Sequence, residues 1–237
     1  MIRLLLALLF LSAGAAVACE TVEHRGRNFT VCTADLARHD VALRLRGADG
    51  RVLGDFAALE AATAAPILFA MNGGMYHPDR RPVGLYVEDG MEGAPLVARA
   101  GPGNFGLLPN GVFCVREGRA DVVETLRFAA TGPACRHATQ SGPMLVVDGE
   151  LHPRFLPDSP SLKRRNGVGA SPDGRLVHVV ISDEPVSFHE MATLFRDALG
   201  VRDALYLDGT VSRLHAPGWG RSDRGFPMGP MLVVTER

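Results

Sequence analysis

Lysine is nearly absent from this chain: Lys163 is the only one, and the other side-chain cations are arginines. Neither sign of charge is in surplus, with 25 basic and 26 acidic residues and a net charge of −1. That balance excludes a polybasic nucleic-acid binder. Aromatics make up only 6%, with one tryptophan and three tyrosines, yet 46% of the chain is hydrophobic. A disordered acidic protein is therefore excluded as well. The familiar catalytic signatures are missing: there is no G-x-S-x-G elbow, no H-E-x-x-H helix and no P-loop. The eight histidines are scattered, and no C-x-x-C pair argues for zinc.

What is present begins with residues 1–18, MIRLLLALLFLSAGAAVA. One early cation (Arg3), a short apolar run and Ala16-Val17-Ala18 have the layout of a secretory signal peptide. The run is too short to favour a membrane span. Cleavage after Ala18 leaves residues 19–237, 219 residues with a net charge of −2, room for one large domain. The four cysteines are Cys19, Cys32, Cys114 and Cys135, an even count that suits an exported chain with two disulfides and allows three pairings. Cys19–Cys32 with Cys114–Cys135 is favoured, because each pair brackets one short stretch. Lipidation of Cys19 is the minor reading, since it leaves an odd count. Export implies a periplasmic or secreted location.

Two segments read as helices. Residues 55–65 are alanine-rich and stop at Pro66; residues 187–199 open on a Ser187/Glu190 capping box and close at Gly200. Most of the remainder reads as short strands, at 41–45, 67–71, 83–87, 111–116, 121–127, 144–148, 175–181, 204–208 and 230–234. Asp89-Gly90, Glu117-Gly118 and Asp148-Gly149 are hairpin turns by residue type. Gly142-Pro143-Met144-Leu145-Val146-Val147 recurs at 229–234, which suggests two equivalent strands of one sheet. The order strand 175–181, helix 187–199, strand 204–208 resembles a crossover between parallel strands, with Asp208 at the carboxyl end of the second. The fold expected is α+β: a single domain with a large mixed β-sheet and few helices.

Polar residues gather in glycine-rich stretches next to apolar strands: 71–77, 138–143, 164–169 and 205–212, with Gly103-Asn104-Phe105-Gly106 as a fifth. Glycine at a strand end lets a ligand or another backbone approach closely. Asn, Gln, Ser and Arg there can aim several donors into one cleft, which suits a polyhydroxylated or phosphorylated ligand. Each stretch also has a plain reading. Asn72-Gly73-Gly74 and Asp208-Gly209 read equally as turns, Gln140-Ser141-Gly142 as the entry to a core strand, and Arg164-Arg165 as a solvated loop.

In combination and in order, these stretches resemble the phosphodiester glycosidase family, which includes the eukaryotic N-acetylglucosamine-1-phosphodiester α-N-acetylglucosaminidase. The matching pieces are NGGMY with PVGLYVEDG (72–90), GNF with PNGVF (103–113), ATQSGPMLVVDG (138–149), RRNGVGASPDG (164–174), ALYLDGTVS (204–212) and the closing GPMLVV. They resemble an exported bacterial branch of that family. The resemblance implies hydrolysis of a sugar–phosphodiester at the anomeric carbon, giving free sugar and a phosphomonoester. On that basis Asp208 is the candidate nucleophile or base, and Arg165 the candidate phosphate clamp. Asn72, Gly73, Gln140, Ser141, Asn166, Gly209, Thr210 and Ser212 are candidate substrate-binding or orienting residues. Many relatives carry a run of glycines after this Asp; here Thr210 and Val211 narrow that stretch. No cofactor is required, and the metal stays unknown, since the spacing around Asp208 gives no ligand set. The partner implied is a small-molecule or polysaccharide sugar phosphate. Two rival readings are a noncatalytic carbohydrate- or phosphate-binding module of the envelope, and a metal-dependent phosphodiesterase.

Overall fold

The computed structural model describes residues 19–237, so the expected leader at residues 1–18 lies outside the described residues. Three antiparallel sheets carry the fold. The largest has seven strands in the order β1 (Cys19–His24), β2 (Arg27–Asp35), β13 (Leu176–Ser182), β12 (Asn166–Ala170), β14 (Ala204–Asp208), β10 (Met144–Val147) and β11 (Glu150–Leu151). A second has β16 (Arg221–Ser222), β15 (Leu214–Ala216), β4 (Ile67–Asn72), β17 (Met231–Glu236) and β3 (His39–Arg44). The third has β6 (Met91–Ala94), β5 (Tyr86–Glu88), β9 (His137–Ser141), β7 (Gly111–Arg116) and β8 (Arg119–Glu124). Their apolar faces meet in one cluster that takes Val179 and Leu205 from the first sheet, Leu43 and Leu232 from the second and Phe113 from the third. Each of these side chains is buried, so the three sheets share a core.

Local chemistry sets several elements as expected. Asp89-Gly90 and Asp148-Gly149 both take positive φ at the two turn positions, the backbone that joins antiparallel strands without splaying them. Helix α1 (Phe56–Ala62) is capped by Asp55, whose side chain accepts from the Ala58 N–H. Helix α3 (Phe188–Thr193) opens on the full Ser187/Glu190 capping box and continues as one π-turn over Leu194–Ala198. The disulfides are Cys19–Cys32, between the paired strands β1 and β2, and Cys114–Cys135.

Four expectations are corrected. The sheets are not mixed: each ladder among the described residues is antiparallel. Strands β13 and β14 do run parallel, as the crossover reading expects, with β12 between them and paired with both. The crossover therefore spans an inserted strand. Gly167 and Gly169 of β12 leave the room for the covering Phe195 ring, since a Cβ at either would sit 3.1–3.2 Å from it. Those glycines serve helix packing. The two Gly-Pro-Met-Leu-Val-Val copies fall in different sheets, as β10 and β17. Residues 125–131 are helix α2 (Thr125–Thr131), not the end of a strand, because Glu124 turns its carboxylate back onto the Arg127 N–H and caps a helix there.

Candidate active site

The site forms where the ends of the three sheets converge. Asp208 ends β14, Asn166 begins β12 opposite it, Asn72 ends β4 and Ser141 ends β9. Hydrogen bonds connect them in a chain. The Asn166 Oδ1 accepts the Asp208 backbone N–H at 2.8 Å, and the Asn166 Nδ2 donates to the Asn72 Oδ1 at 2.6 Å. That same Asn72 oxygen accepts the Arg213 backbone N–H at 3.0 Å. Ser141 donates its hydroxyl to the Leu207 carbonyl at 3.1 Å, tying the third sheet to the strand that carries Asp208.

The two backbone N–H groups at the ends of this chain fix both amide orientations. Each can only donate, so the Asn166 Oδ1 faces Asp208 and the Asn72 Oδ1 faces Arg213. The Asn72 Nδ2 is thereby identified as a donor, and it is buried with no partner among the described residues. A buried amide donor left unmade costs about 1–3 kcal/mol, so its retention needs a reason.

Asp208 itself is largely enclosed. Burial raises its pKa above the ordinary carboxyl range, opposed by the backbone N–H groups of Thr210, Gly209 and Val211. Its Oδ1 accepts from Gly209 at 2.6 Å and from Thr210 at 2.8 Å. The turn is thus a nest of amides around one carboxylate. Two tyrosines flank it. The Tyr206 hydroxyl, pushed up to about 12 chiefly by burial, lies against Gly209, where a Cβ would come within 2.2 Å of it. Its oxygen faces Arg165 and Asn104. Tyr76 donates its hydroxyl to the Pro227 carbonyl at 2.9 Å; burial, and then the Asp208 charge, raise its pKa.

Other expected site residues stand differently. The Gln140 side chain is held by its own sheet region: its Oε1 accepts from the Leu85 and Val97 N–H groups and its Nε2 donates to the Val97 carbonyl and Thr125. Strand alternation turns Gln140 away from its neighbours Thr139 and Ser141, and it anchors the 95–97 segment. Arg165, the candidate phosphate clamp, is buried. Its Nε donates to the Val186 carbonyl at 2.9 Å and one Nη to the Ser161 carbonyl at 2.8 Å, and the guanidinium stacks 3.7 Å above the Phe188 ring. Gly73 serves the packing of β4 on β17, since a Cβ there would meet the Leu232 nitrogen at 2.9 Å. Ser212 bridges the carbonyls of Asp208 and Arg164 at 2.9 and 3.1 Å, closing the turn without touching the carboxylate. Thr210 contributes its N–H, with its side chain exposed.

Sequence reasoning missed Tyr206, Tyr76 and Arg213. Tyr206 was open to discovery, lying two residues before Asp208 and so on the same strand face. Arg213 enters only through its tertiary hydrogen bond. The Gly101–Gly106 glycines match the spacing of a dinucleotide fingerprint, but the segment leads into β7 rather than a helix, so it is not one. Among the described residues no group of three or more His, Cys, Asp or Glu side chains is placed to hold a metal ion. No helix among them is long and apolar enough to cross a membrane.

A family model described as phosphodiester glycosidase matches residues 66–233. The Escherichia coli (strain K12) protein named uncharacterized protein YigE is 35% identical over 192 residues, covering 80% of this chain and 75% of that one. Among solved structures, the catalytic domain of zebrafish N-acetylglucosamine-1-phosphodiester alpha-N-acetylglucosaminidase, auto-inhibited by its pro-peptide, superposes with a TM-score of 0.62 at 15% identity. It covers 92% of this chain and 82% of that one. At that identity the likeness is one of fold.

Proposed function

The chain belongs to the phosphodiester glycosidase family, and from that premise we propose that it is an exported hydrolase that cleaves a sugar–phosphodiester at the anomeric carbon. Water adds to the sugar, the bond from the anomeric carbon to the phosphate oxygen breaks, and the products are a free sugar and a phosphomonoester. The leaving phosphate is a weak base, so it needs less protonation than the alcohol of an ordinary glycoside. One carboxylate is then enough to attack the anomeric carbon or to take the proton from water. Asp208 fills that role in this reading.

The observation that carries it is the pairing of the enclosed Asp208 carboxylate with the unpartnered Asn72 amide, joined through Asn166. Backbone N–H groups of Gly209 and Thr210 donate to the carboxylate and favour its ionised form against the burial that raises its pKa. An amide donor linked to Asp208 through Asn166 and left unpaired at a folding cost is what a hydroxylated or phosphorylated ligand would satisfy. The two disulfides suit an oxidising compartment, in keeping with export to the periplasm or beyond.

The test is turnover of a sugar phosphodiester by the wild type and by Asp208→Asn, with product analysis. Free sugar from the wild type and at least a 1000-fold loss in the variant is the expected result. Undiminished turnover by Asp208→Asn would remove Asp208 from the mechanism. Sugar phosphate in place of free sugar would make the protein a phosphodiesterase. Binding without turnover would make it a binding module.

A further inference from the structure

The proposed substrate carries a negative charge at its phosphate, and Arg165 is buried with its Nε and one Nη spent on backbone carbonyls. The arginines of the segments that build the site can be compared one by one. Arg165 is committed to the Val186 and Ser161 carbonyls, and Arg164 donates to the Ser182 carbonyl. Arg213 holds the carbonyls of Asp223 and Phe226 through three of its nitrogens. Arg81 is paired with Asp79 at 2.6 Å. Arg80 alone in this set has no side-chain hydrogen bond and no ion pair to any of the described residues.

Arg80 nevertheless has one side-chain neighbour. Its guanidinium carbon lies 5.4 Å from the centroid of the Tyr76 ring, a cation on an aromatic face. Tyr76 is itself immobilised: its hydroxyl holds the Pro227 carbonyl, and its ring packs so closely on Gly229 that a Cβ there would come within 2.6 Å. Gly229 lies two residues before Met231, which pairs with Asn72, so the Tyr76 ring stands at the Asn72 end of the second sheet, where the site is built. The backbone of Arg80 is left-handed, with φ +71°, in the turn where its N–H donates to the His77 carbonyl. That conformation favours glycine, and Arg25 in the β1–β2 turn shares it.

We propose that Arg80, stacked on Tyr76 at the edge of the Asp208 cleft, is the residue that binds the substrate's phosphate. The planar guanidinium can grip two phosphate oxygens while its other face rests on the ring. This assignment rests on the phosphodiester reading of the site, but its test does not depend on turnover.

Binding of inorganic phosphate and of a phosphomonoester to the full chain is measured by calorimetry for wild type, Arg80→Gly and Arg81→Ala, together with the thermal midpoint of each. Loss of one charge-assisted contact worth about 1.5–3 kcal/mol weakens binding about 10- to 100-fold. That loss is expected for Arg80→Gly, with a thermal midpoint equal to or above wild type because glycine suits the positive φ. Arg81→Ala should bind as wild type does. Unchanged phosphate affinity in Arg80→Gly, equal weakening in both variants, or no phosphate binding by the wild type overturns the assignment. Phosphate binding that needs Arg80, without any sugar release from a diester, would keep Arg80 and remove the glycosidase reading instead.

Discussion

Asn166 donates its side-chain N–H to the side-chain oxygen of Asn72 at 2.6 Å, across 94 positions of sequence. Both residues are fully buried, and they join the largest sheet to the second sheet at the point where Asp208 emerges. The site is thus a junction of sheets, with side-chain amides as the fasteners.

Removing the fastener should loosen the junction. Asn166→Ala leaves the buried Asp208 N–H without its acceptor and takes one donor from the Asn72 oxygen. A buried group left unpaired costs about 1–3 kcal/mol, so urea unfolding should record a loss of about 2 kcal/mol or more. A loss below about 0.5 kcal/mol would contradict the role given to this bond.

Asn72→Asp separates folding from ligand recognition. The carboxylate keeps an acceptor for Asn166 and Arg213 but replaces the unpartnered N–H2 with an oxygen that repels phosphate. The chain should remain folded by circular dichroism, and kcat/KM for a sugar phosphodiester should fall by about 100-fold or more, about 2.7 kcal/mol in transition-state stabilisation. Full activity in a folded Asn72→Asp would show that the free amide does not face the substrate.

Asp208 should cost the protein stability at neutral pH. Its folded pKa is raised by burial, so the folded chain holds this proton more tightly than the unfolded one. The associated stability is fully present below the unfolded value of about 3.9, and it is lost as pH rises through the folded pKa. Asp208→Asn cannot ionise and keeps an oxygen for Gly209 and Thr210. Its thermal midpoint at pH 7 should equal or exceed that of wild type, with the gap closing toward pH 4. A wild type that is the more stable of the two at pH 7 would reverse the sign of this argument.

The disulfides make a separate prediction. Intact mass should lie about four hydrogens below that of the reduced chain. Closing loops of 13 and 21 residues is worth about 3 kcal/mol for each bridge on a chain-entropy basis. Cys114→Ser with Cys135→Ser should therefore lower stability by about that amount, read from chemical unfolding.

Much of the fold was legible where the chemistry is local. The Ser187/Glu190 capping box, the Asp-Gly turns and the placing of Asp208 after an apolar strand each depend on residues within a few positions of one another. The bracketing of each cysteine pair also held. What escaped depends on distant partners. Strand β9 is buried on both faces, so no alternation of polar and apolar residues could tell which of Gln140 and Ser141 reaches the strand that carries Asp208. The glycines of β12 looked like room for a ligand, while the ring they accommodate comes from Phe195. Arg165 sits in a motif beside Asn166, yet the carbonyls that take up its donors belong to Ser161 and to Val186, 21 residues later.

The bond that breaks is the centre of this account, and isotope transfer reads it directly. Hydrolysis of a sugar phosphodiester by the wild type in water enriched in oxygen-18, followed by mass analysis of the phosphomonoester, reports which atom water attacks. Attack at the anomeric carbon predicts a phosphomonoester with no oxygen-18. One labelled oxygen in the phosphate would place the attack at phosphorus and contradict the glycosidase mechanism.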